Sequence, residues 1–322
     1  MTALIGALAL LAALFAFTGV AARVIEARFP PAGKSVEAGG GTIHVVDRPA
    51  GEKERAAVVM IHGASGNASD LDVALSERLK ALGFRTLSCD RPGHGFSGRI
   101  GGGAAASPRL QAEAIRRAAA RLGVAEAIVV AHSLGAITGL AMAIEAPEFV
   151  RALVLIAPLS HPWSTGVAWY NTAGAHPAIG APFRRLLVLP IGLALLRPGV
   201  KAVFAPNPPP PGFIAATRLP LLLRPTHFLA NCEDVTAANA AVRALSPRYR
   251  EIRAPTEILA GEADGVVSTG RHAAALARDI PGARLTILPG VGHAPHHVAP
   301  ERIVSTILEA ERRALARRIA TA

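Results

Sequence analysis

Cysteine is nearly absent: Cys89 and Cys232 are the only two in 322 residues. Two isolated thiols build neither a metal cluster nor a disulfide framework, so both read as small buried side chains. Aromatic residues make up only 4% of the chain, too few for the stacking platforms of a single-strand binder. The basic residues behind the formal charge of +11 are scattered and nearly all arginine, so they do not form a binding stripe. Nucleic acid is therefore discounted as a partner. No glycine-rich phosphate loop or dinucleotide fingerprint is present, because Gly101-Gly102-Gly103 comes after no strand pattern and reads as a loop tip. No metal and no cofactor are expected.

Charge is also missing from Ala3 to Ala22, where Thr18 is the only polar side chain. Twenty residues at about 1.5 Å each reach about 30 Å, the thickness of a bilayer core. A cleaved signal segment normally begins with Lys or Arg; here Arg23, Arg28 and Lys34 come after the apolar run instead. Residues 1–28 are read as a single-pass membrane anchor, with the downstream domain on the cytoplasmic side by the positive-inside tendency. The alternatives are an exported protein with a signal segment, and an ordinary packed helix.

Beyond residue 28 the chain alternates strand and helix patterns in the way that builds a doubly wound, mostly parallel α/β sheet. Phe29-Pro30-Pro31-Ala32-Gly33 reads as a linker, and Thr42 to Asp47 as the first, antiparallel edge strand. Helices are expected over Ala68–Leu82, Pro108–Leu122, Ala136–Ala146 and Glu301–Ile319. On the last, Glu309, Glu311, Arg312 and Arg313 read as a solvated face. The alternation stops between residues 158 and 253, where apolar helix-like stretches, Phe183 to Leu196 and Phe213 to Leu223, flank a proline run. This region is read as a helical cap over the strand ends, the alternative being an insertion packed on the side of the fold. Core segments then run over 40–157 and 254–322.

The chemistry-bearing residues fall at strand ends. Ile128-Val129-Val130-Ala131-His132-Ser133-Leu134-Gly135-Ala136 is strand, sharp turn, helix, with a serine at the apex. Such a turn needs small neighbours, and Ala131 stands where the usual G-x-S-x-G carries its first glycine. His62-Gly63-Ala64, Asp90-Arg91-Pro92-Gly93-His94-Gly95-Phe96-Ser97, Gly261-Glu262-Ala263-Asp264-Gly265 and Gly290-Val291-Gly292-His293 each come after a strand-like run. The series Ser133, Asp264, His293 and the D-R-P-G-H-G-x-S string make residues 40–312 resemble a serine hydrolase of the α/β-hydrolase fold, capped subgroup.

Serine is a weak nucleophile until a base takes its proton. His293, in a glycine-flanked loop after the last strand, is the expected base, and Asp264 the carboxylate that sets its tautomer. Glu262 is the local alternative to Asp264. Oxyanion donors are expected from the backbone N–H groups of Leu134 and Ala64. His62 is expected to brace backbone, His132 to point into the fold, and His296 and His297 to face solvent or the cap. Asp90 is expected to organise the Gly93–Gly95 loop. The resemblance implies hydrolysis of a carboxylic ester of a small-molecule substrate through an acyl-enzyme, and the expected anchor and apolar cap point to an apolar, lipid-like acyl group. Lactone, thioester, amide or carbon–carbon bond hydrolysis, a cofactor-free perhydrolase that oxidises halide, and a non-catalytic ligand receptor stay open as alternatives.

Overall fold

Apolar β-branched runs flanked by turn residues become buried strands, and here they assemble an eight-stranded sheet. The strands are β1 (Lys34–Glu37), β2 (Thr42–Arg48), β3 (Ala56–Ile61), β4 (Phe84–Cys89), β5 (Ala127–His132), β6 (Val150–Ile156), β7 (Thr256–Gly261) and β8 (Arg284–Leu288). Their spatial order is β1-β2-β4-β3-β5-β6-β7-β8. The β1–β2 and β2–β4 pairs are antiparallel and all the others parallel. This is the α/β-hydrolase fold in a computed structural model, which describes residues 1–51 and 54–321.

Both faces of the sheet are covered. Side chains alternate along a strand, so Val59, Ile61, Val129 and Ala131 enter one core while Val58, Met60, Ile128 and Val130 enter the other. The first core packs against α3 (Pro108–Arg121) and α4 (Gly135–Glu145). The second packs against α2 (69–81) and α9 (Pro300–Thr321). Residues 270–279 form α8 beside β7. Because every residue of β3, β5 and β7 is buried, only the loops beyond their carboxyl ends are free to carry chemistry.

Three expectations need correction. The antiparallel edge is β1, one strand earlier than Thr42–Asp47; Lys-Ser-Val-Glu is too short and polar to announce itself, and pairing with β2 creates it. Glu311 and Arg313 do not form a solvated face. The Glu311 carboxylate is buried and accepts from Arg55 Nε at 2.6 Å, and Arg313 pairs with Glu257. Between β6 and β7, the 21-residue α7 (Pro225–Leu245) was not anticipated. It comes after α5 (Trp169–Ala175) and α6 (Gly180–Phe204). The N-terminal helix α1 (Thr2–Arg28) precedes them all, and most of its length is uncovered.

Candidate active site

The turn after β5 places Ser133 at φ 51°, in the left-handed region that a side chain rarely adopts. Strand and helix nearly touch there. A Cβ added to Gly135 would lie 2.4 Å from the His62 carbonyl oxygen, so only glycine fits. The methyl of Ala131 is accommodated because Gly139 faces it: a Cβ on Gly139 would sit 3.1 Å from that methyl. The space usually left by the first glycine of the motif is supplied one turn into α4.

Three loops then bring their polar groups into one line. The Ser133 hydroxyl lies 2.9 Å from His293 Nε2, and His293 Nδ1 lies 2.8 Å from Asp264 Oδ2. The other Asp264 oxygen accepts the backbone N–H groups of Val266 and Val267 at 2.8 and 2.9 Å. A carboxylate held by two amides has one oxygen left for the ring, which fixes the tautomer with the proton on Nδ1 and a lone pair on Nε2. Glu262 instead accepts from the Gly290 N–H on the surface. Such a hydroxyl–imidazole–carboxylate chain moves a proton off the serine and returns it to a leaving group. Among the described residues, the Ala64 and Leu134 N–H groups donate no hydrogen bond within the chain.

The other histidines brace this line. His62 donates from Nδ1 to the Gly63 carbonyl and accepts at Nε2 from the Arg91 N–H; burial, then the Arg91 charge, pushes it down to about 4, so the ring is neutral. His132 points into the fold and donates from Nε2 to the His293 carbonyl at 3.0 Å, tying the Ser133 turn to the His293 loop. Asp90 takes the N–H groups of Ala68 and Phe96 and the His44 ring, beyond its expected loop role. His297 faces the segment between β6 and β7 as expected, its ring against Phe204 and Phe213, but His296 is buried instead, and both rings meet the Asp70 carboxylate, with His297 Nε2 at 2.8 Å from Asp70 Oδ1. Burial alone would raise the Asp70 carboxyl, but these two rings outweigh it and hold it well below the usual range. Asp70, His132 and His296 gather donor atoms within 4.8 Å of one another.

Two braces from α7 were missed by sequence reasoning. Asn231 accepts the Ser65 N–H at 2.6 Å. Asp234 pairs at 2.5 Å with the wholly buried guanidinium of Arg91, which also donates to the Gly63 carbonyl. The signal available was the arginine inside the D-R-P-G-H-G string, a buried cation that needed a carboxylate.

Known proteins resemble this chain in both sequence and fold. A model of the alpha/beta hydrolase family matches residues 58–306. The 2-(acetamidomethylene)succinate hydrolase of Mesorhizobium japonicum is 27% identical over 281 residues, 85% of this chain and 93% of that protein. Among solved structures, the enol-lactonase of Burkholderia xenovorans aligns with a TM-score of 0.69 at 18% identity, covering 86% of this chain and 99% of that one. A membrane phospholipase A, described as a bacterial virulence factor, aligns with a TM-score of 0.65 at 20% identity over 97% of this chain and 99% of its own. At these identities the two structures speak for the fold alone. The family match, spanning well over half of the residues, carries the conclusion: this chain belongs to the alpha/beta hydrolase family and is a hydrolase.

Proposed function

We propose that the chain hydrolyses a carboxylic ester with an apolar, lipid-like acyl group, through an acyl-enzyme on Ser133. The observation that carries this reading is the unbroken line from Ser133 through His293 to Asp264 at 2.9 and 2.8 Å. Ser133 Oγ attacks the ester carbonyl as His293 Nε2 takes its proton. Asp264 stabilises the imidazolium, and the Ala64 and Leu134 N–H groups receive the oxyanion. His293 then protonates the departing alcohol, and water activated by the same ring releases the acid. Each oxyanion donor contributes about 2.7–4 kcal/mol in enzymes where one has been removed.

The apolar preference is supported by Leu159, Trp163 and Val235, which pack with Leu134 beside the nucleophile. Residues 158–253 are read as the cap. The structural relative named an enol-lactonase is compatible with this reading, since a lactone is an internal ester. Helix α1 is read as the membrane anchor: its 27 residues span about 40 Å, and its most apolar 18-residue window has a mean hydropathy of 2.4 and is almost wholly uncovered.

A fluorophosphonate probe tests the nucleophile. It labels the wild-type chain on Ser133, and Ser133→Ala abolishes both labelling and ester turnover. Labelling elsewhere, or turnover that survives the substitution, overturns the assignment.

A further inference from the structure

The segment between β6 and β7 has a surface unlike the rest of the molecule. From residue 158 to 232 there is no Asp or Glu, whereas Arg184, Arg185, Arg197, Lys201 and Arg218 fall there; Arg224, also there, is buried and paired with Glu26 of α1. Along α6, Leu187, Ile191 and Leu195 recur every fourth residue, which aligns them on one face. They are 40%, 49% and 58% exposed. Trp169, 71% exposed, extends the apolar surface through its ring contact with Phe183 on α6. Scattered apolar residues on a surface need no explanation; an aligned stripe beside a cluster of positive charge does.

This face adjoins α1. Leu14, Thr18, Ala21, Ala22 and Ile25 mark the covered side of that helix. Ala21, Ala22 and Ile25 join a cluster with Val188 and Leu189 of α6, and the Arg185 guanidinium lies 5.7 Å over the Phe15 ring. Phe15 is inside the charge-free stretch that ends at Ala22, seven residues or about 10 Å further on. A bilayer that takes up this stretch therefore also reaches α6, at about the depth of an interfacial helix, 5–10 Å.

We propose that α6 lies in the headgroup region of an anionic bilayer, with Leu187, Ile191, Leu195 and Trp169 toward the acyl chains and Arg197 and Lys201 toward phosphate. The enzyme thereby draws its ester from lipid rather than from water. This rests on reading α1 as the anchor.

The chain has two tryptophans, Trp163 and Trp169, so Trp163→Phe leaves Trp169 as the only indole. The full-length variant is reconstituted into mixed phosphatidylglycerol and phosphatidylcholine vesicles. Phosphatidylcholine brominated high on its acyl chains quenches Trp169 about two-fold, while aqueous iodide has little effect. Ile191→Glu/Leu195→Glu abolishes the bromolipid quenching in that background. In the otherwise wild-type chain it lowers hydrolysis of a vesicle-borne ester about ten-fold and leaves a short water-soluble ester unaffected. Quenching by iodide instead overturns the inference in favour of a solvated face. Quenching by neither overturns it in favour of a second copy covering the stripe. Release of the wild-type chain from vesicles by high salt fails the anchor reading; retention with Trp169 unquenched by bromolipid fails this inference alone.

Discussion

Asp264 spends one oxygen on two backbone amides and the other on His293, so it orients the ring without moving. Asp264→Asn keeps the shape but offers the ring an amide that can hold the wrong tautomer. Turnover of a soluble ester falls by about 10⁴, whereas Glu262→Gln, whose carboxylate only receives the Gly290 N–H, stays within a few-fold of wild type. Comparable losses in the two variants would remove Asp264 from the relay. Ser133, His293 and Asp264 were legible because each sits in a small-residue turn directly after an apolar run. His296 was not: its partner, Asp70, is 226 residues away, and no local pattern reports a pairing over that distance. Glu311 was misjudged for the same reason, its partner Arg55 lying across the fold.

Among the elements, β3 and β5 were readable from composition, since parallel strands buried on both faces must be continuously apolar. Helix α7 was not, because much of its covered side is polar: His227, Asn231 and Asp234 are buried. Such residues look solvated until their partners are known, and Asp234 meets Arg91, Arg99 and Gln111. Removing one partner of a buried pair strands the other charge, at a cost of about 3–5 kcal/mol. Asp234→Ala therefore lowers stability by about that amount in urea unfolding, and because Arg91 also holds the Gly63 carbonyl, turnover falls even in the fraction that remains folded. A change below about 1 kcal/mol would mean that the pair is dispensable.

Across the molecule, several histidines are buried without charge. Burial, aided by Arg91, pushes His62 from 6.5 down to about 4; burial, aided by Arg224, pushes His227 to about 3. The unfolded chain binds these protons more readily, so stability is fully present above pH 6.5 and is lost as the pH falls toward the folded values. His62 alone accounts for about 3 kcal/mol between pH 6.5 and 4, at about 1.36 kcal/mol per unit. The urea midpoint falls steadily through this window; a flat profile would show that these rings are charged or accessible in the native state.

The bond from the His132 ring to the main chain of His293 has one more consequence. The residue beside Ser133 is fastened to the loop that carries His293, so thermal drift of either turn drags the other with it. The spacing of Ser133 and His293, on which the proposed proton transfer depends, is thereby held more closely than the position of either turn.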